Sequence, residues 1–109
     1  MKIEEVFARR RFIMLDGAMG TQLQLRGLTT EQKPELAAFI MPDVLTAVHR
    51  DYARAGADIL LANTFGANPR KLKGTGYTVQ QVIEASIACA RTAAQETGAL
   101  VALDIGPIG

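Results

Sequence analysis

Mostly apolar short runs alternate along the chain with longer stretches in which apolar residues return every three or four positions. The runs at 12–15, 57–63 and 99–103 have the length and continuity of parallel strands covered on both faces. Between them, Val44, Leu45, Val48, Tyr52 and Ala55 share one face of residues 43–55. Val79, Val82, Ile83, Ile87, Ala90 and Ala94 do the same over 79–97, and both patterns predict amphipathic helices. Pro42 suits a first helical turn and Gly56 a helix stop. Thr78 and Gln81 form a capping box at the head of the second long helix, and Gly98 ends it. A short leading helix over 2–9 and one helical turn at 69–73 complete the order α–β–α–β–α–β. That order predicts an α/β fold of βαβ units with a parallel sheet.

Each predicted strand stops at a polar residue: Asp16 after the first, Asn63 and Thr64 after the second, Asp104 after the third. In parallel α/β folds ligands bind at the carboxyl edge of the strands, so polar groups gathered there read as a site. Gly17 and Gly20 follow Asp16 and can take positive φ, letting main-chain N–H groups approach a ligand closely. The simpler reading of any one end is a side chain capping a turn.

Composition narrows the ligand. About half of the 109 residues are hydrophobic and 21% are charged, as in a folded domain, and one domain is the ceiling at this length. The net charge of +1 shows no footprint for nucleic acid, which points to a small molecule or another protein surface. No apolar run reaches the roughly 18 residues of a membrane span, and the mixed charges of the first residues do not fit a secretory signal; the cytoplasm is the expected location. The lone cysteine, Cys89, makes neither an internal disulfide nor a metal site by itself and is read as a small buried apolar group. "GAMG" is not a dinucleotide fingerprint, since no strand–helix junction is expected to follow it at once, and no phosphate-binding P-loop occurs. His49, beside Arg50 and Asp51 on a helix, is assigned a surface or packing role, and Ser86 lies within a helix with no triad around it. Arg70, Lys71 and Lys73 read as a solvated loop.

"MLDGAMGTQLQ" (14–24), "PDVLTAVHRDYARAGADILLANTFGANPRKL" (42–72) and "ALDIGPIG" (102–109) together resemble the amino-terminal part of the homocysteine S-methyltransferase family. That family includes the homocysteine-binding module of cobalamin-dependent methionine synthase. The resemblance implies a (βα)8 TIM barrel, with residues 1–109 forming its first three strands and two of their helices. It implies methyl transfer to the thiol of homocysteine, held as thiolate on zinc by cysteines of later strands, outside this chain. The methyl donor of the complete enzyme, whether cobalamin fed by methyltetrahydrofolate, a betaine or a sulfonium, is set outside these residues. "LDGAMGT…ANTFGAN" looks closest to the methionine synthase branch, the cobalamin and methyltetrahydrofolate type. By this likeness Asp16 helps to hold the amino-acid end of homocysteine, the Gly17 backbone approaches it, and Asn63, Thr64 and Phe65 line the pocket; Asp104 joins them by its position. No residue here is expected to be catalytic or to bind metal. Ile108 stands where the family usually has Thr, and Ala38 where Asn often follows. Three strands cannot close a barrel, so the rest of a barrel or an oligomeric partner is expected to cover the open edge. The alternative is a non-catalytic βαβαβ module that works only by association with itself or another chain.

Overall fold

Two of the apolar runs pair as expected. β1 (Ile59–Leu61) and β2 (Leu100–Ala102) are parallel, with Ile59 opposite Leu100, Leu60 opposite Val101 and Leu61 opposite Ala102. This computed structural model describes residues 2–9 and 13–106; Ile108 and Phe12, the first residue of the 12–15 run, lie outside the described residues.

The first expected strand is reduced to a single parallel bridge, Leu15 to Ile59. Main-chain bonds still hold it beside β1: the Asp58 N–H donates to the Met14 carbonyl at 2.7 Å, and the Asp16 N–H to the Ile59 carbonyl at 3.3 Å. The Met14 N–H instead donates to the Asp58 carboxylate at 2.9 Å, so a side chain takes a donor that a ladder would use. Leu15 is 56% exposed, and little apolar burial fixes the run as a full strand.

The helices are α1 (Ile3–Arg9), α2 (Gly20–Leu25), α3 (Ala37–Ile40), α4 (Pro42–Arg54), α5 (Pro69–Leu72) and α6 (Val79–Ala94). Pro42 opens α4 as expected. The capping box of α6 is formed in both directions, the Gln81 N–H donating to Thr78 Oγ1 at 3.1 Å and the Thr78 N–H to Gln81 Oε1 at 2.9 Å. Gly56 and Gly98 have positive φ; Gly56 ends α4, and Gly98 closes the turn that follows α6. α6 stops at Ala94 rather than at 97, and the turn after it is held by the Gly98 N–H donating to the Ala94 carbonyl.

α4 packs against α6 over β1. Leu23 of α2, Ala37 and Ala38 of α3, Leu45 and Val48 of α4 and Cys89 of α6 form one buried cluster, while Ala53, Leu60, Ala93 and Ala94 form another against the sheet. The buried stripe of α6 runs through Ser86, Cys89 and Ala93 as well as Val82, Ala90 and Ala94, leaving Ile83 and Ile87 half-buried. Small side chains let the neighbouring backbone come close, so the interface follows them rather than the largest apolar groups. On α4, Ala55 is exposed and His49 is buried in its place.

Two pieces run against expectation. A helix does follow "GAMG", since α2 begins at Gly20. A 310 turn, Pro34–Leu36, leads into α3 where no element was expected. None of the described helices is long and apolar enough to cross a membrane.

Candidate functional site

The carboxyl ends of the strands meet at a cavity of about 360 Å³. Asp16 and Gly17 reach it from the first run, Asn63 and Phe65 from the loop after β1, and Asp104 from the end of β2. Glu35, which the sequence did not mark, joins them from the 310 turn. Among the expected residues, Thr64 alone is absent from this wall.

Asp16 is the most constrained of the group. Its Oδ2 accepts the Leu61 N–H at 3.1 Å, whereas Oδ1 is buried and has no hydrogen-bond partner among the described residues. Burial raises its carboxyl above the ordinary value of 3.8; bonds from the Leu61 and Asp16 N–H groups pull the other way, and the Asp104 charge adds to the rise. A buried carboxylate oxygen with no partner carries a desolvation cost that a ligand donor would relieve.

Gly17 acts through space and not through the positive φ open to it; neither it nor Gly20 has positive φ. A Cβ at Gly17 would stand 3.0 Å from the Tyr52 ring and hydroxyl, and that hydroxyl donates to the Ala18 carbonyl at 2.6 Å. Tyr52 of α4 thus carries the main chain that follows Asp16. α2 starts a few residues later with no side-chain cap, so its first N–H groups are left for solvent or a ligand.

Asn63 and Thr64 are both engaged with the protein. Asn63 Nδ2 donates to the Pro34 carbonyl at 2.7 Å, fastening the 310 turn to the end of β1. Thr64, 5% exposed, accepts the Asp104 N–H at 2.9 Å and donates to the Asp104 carbonyl at 2.8 Å, which locks the two strand ends together. Phe65 is half-exposed, with Lys71 Nζ 5.5 Å from its ring centroid. It divides the acidic cavity from a second of about 290 Å³, lined by Thr64, Asn68 and Ile83 among others.

Among the described residues, the wall of the first cavity holds three carboxylates, Asp16, Glu35 and Asp104, and no Lys, Arg or His. It suits a cationic group, while the uncapped start of α2 suits an anionic one. No cluster of three or more His, Cys, Asp or Glu side chains that could hold a metal occurs among the described residues. Cys89 is buried with its thiol 3.8 Å from the Pro42 carbonyl, as an apolar group in the helix interface. His49 is fully buried, so of the two roles expected for it packing is correct.

These features define a mixed α/β chain whose parallel strands deliver an acid-lined cavity at their carboxyl ends. A family profile described as homocysteine S-methyltransferase matches residues 13–109, and the chain belongs to that family. The chain is similar to methionine synthase of Mycobacterium tuberculosis (strain ATCC 25618 / H37Rv), 38% identical over 82% of this chain and 8% of that protein. It is also similar to homocysteine S-methyltransferase of Escherichia coli (strain K12), 31% identical over 93% of this chain and 37% of that protein. The metallated form of the homocysteine methyltransferase MmuM from Escherichia coli superposes with a TM-score of 0.84 at 28% identity, covering 96% of this chain and 41% of that one. The chain therefore spans well under half the length of these relatives.

Proposed function

We propose that these residues form the first βα units of a (βα)8 barrel and bind homocysteine as the acceptor of a methyl group, giving methionine. The observation that carries this reading is the buried, unpartnered Oδ1 of Asp16 in an acid-walled cavity beside the uncapped start of α2. A cavity of about 360 Å³ lies in the range of small-molecule sites. Asp16 takes the substrate ammonium, supplying the charged acceptor that such a donor favours. Main-chain N–H groups of the Gly17–Gly20 segment, which lines the cavity, take the carboxylate. Gly17, Asn63, Thr64 and Phe65 shape the pocket: Gly17 by lying on Tyr52, Asn63 and Thr64 through the bonds they make to Pro34 and Asp104, and Phe65 as its side wall. Asp104 adds negative charge at the strand ends.

The thiol must lose its proton to act as nucleophile, and the family likeness implies zinc for that step. The described residues do not supply zinc with a ligand set, so their part is to bind and orient the amino-acid end. The likeness of "LDGAMGT…ANTFGAN" to the methionine synthase branch is what supports the cobalamin and methyltetrahydrofolate type.

Replacing Asp16 by Ala in the complete barrel enzyme tests the role. Loss of a charged hydrogen bond predicts a homocysteine KM raised about ten- to hundredfold. An unchanged KM would remove Asp16 from the site and with it the main support for this reading.

A further inference from the structure

We propose that Glu35 is a second substrate-recognising carboxylate, and that it sets the preference for a thiol carrying an amino group. The inference rests on the homocysteine reading above and deepens it. Glu35 lies in the Pro34–Leu36 turn, which two bonds from other parts of the chain fasten at the cavity. Asn63 Nδ2 donates to the Pro34 carbonyl at 2.7 Å, and Lys33 Nζ donates to the Lys71 carbonyl at 3.0 Å. The turn is thus tied both to the end of β1 and to α5, and Glu35 is presented from a fixed backbone.

Its side chain is free to meet a ligand. Ion pairs among the described residues engage Asp51 and Glu96 and leave Glu35 unpaired. It folds over Gly66, which is buried and is not among the glycines with positive φ. Backbone conformation does not demand glycine there, but the Glu35 side chain uses the space: a Cβ on Gly66 would meet the Glu35 carboxylate and Cγ, and that side chain would have to swing aside. The glycine after Phe65 and the acid of the 310 turn, unrelated in the sequence, are one device in the structure. Glu35 joins Asp16 and Asp104 in a wall that has no base among the described residues, so the potential there favours a ligand that brings a cation. A thiol acid lacking the amino group gains nothing from it.

The test compares, in the complete enzyme, the KM for homocysteine with the inhibition constant of γ-mercaptobutyrate, the same thiol acid without the amino group. Glu35→Gln is expected to raise the homocysteine KM about tenfold or more, the size of a lost charged hydrogen bond, with kcat and the γ-mercaptobutyrate constant unchanged. Gly66→Ala, which keeps the carboxylate but displaces it, is expected to raise the same KM, and the double variant to be no worse than Glu35→Gln alone. If Glu35→Gln weakens both ligands equally, or neither, the recognition role is overturned while the homocysteine reading stands. A wild-type enzyme that does not use homocysteine overturns both.

Discussion

Asp16 holds a buried carboxylate oxygen unpaired among the described residues, and what makes it a binding group also makes it a weak point. Its carboxyl is raised above 3.8, chiefly by burial, so the folded chain binds that proton more tightly than the unfolded chain. Stability from this group therefore falls as pH rises through the window above 3.8. Asp16→Asn removes the charge and keeps an acceptor for the Leu61 N–H. It should raise Tm at neutral pH while weakening homocysteine binding; a lower Tm would show that the charge supports the fold. His49 has the opposite sign. Fully buried with both ring nitrogens unpartnered among the described residues, its pKa is pushed down from 6.5 to about 4 by burial. Below 6.5 the unfolded chain takes the proton first, so stability is lost as pH falls from there towards 4. At about 1.4 kcal/mol per pH unit, the full loss is about 3 kcal/mol. Urea unfolding at several pH values should show this slope in the wild type and a flatter one in His49→Leu; equal slopes would mean that the ring is not kept neutral.

At the scale of elements, the site depends on how the ends of β1 and β2 are tied. Thr64 makes two hydrogen bonds to the Asp104 backbone, so Thr64→Val leaves a donor and an acceptor of that residue without this partner. The expected cost is about 1–3 kcal/mol in unfolding free energy, together with a raised homocysteine KM because Asp104 and Phe65 lose their common anchor. Unfolding that matches the wild type would show that the strand ends are held elsewhere. The same scale explains what could be read beforehand. α4 and α6 are long enough for their periodicity and their Pro, Thr–Gln and Gly signals to be legible, and β1 and β2 stand out as apolar runs ending on polar residues. α2 buries only Leu23, and the 310 turn buries none of its residues, so neither carries a readable pattern; α2 takes its place by packing on α4, and the 310 turn by the bond from Asn63 to the Pro34 carbonyl. Glu35 went unseen for that reason. Asp16, Asn63 and Asp104 were legible as polar strand ends and Gly17 as the glycine after one, whereas Phe65 came only from the family likeness; the inward bond of Asn63 and the strand lock made by Thr64 appear only when distant segments are brought together.

On the scale of the whole molecule, the sheet keeps an apolar border. Leu15 is 56% exposed, Leu103 49% and Ile105 86%, all on the strand segments or just beyond them. β1 lies between the Leu15 segment and β2, and no described strand pairs with the outer side of either neighbour. Open strand edges beside exposed apolar side chains favour association, and in the proposed barrel further strands would cover them. The 109-residue polypeptide made alone should therefore run in light scattering above its monomer mass of 11.7 kDa. Ile105→Lys should shift it towards monomer with Tm little changed, because a side chain 86% exposed has few packing contacts to lose. A wild-type polypeptide that stays monomeric at micromolar concentration would mean that the edge needs no cover. Association that persists in Ile105→Lys would move the contact to the Leu15 side of the sheet, where Leu15→Lys is the next variant to measure.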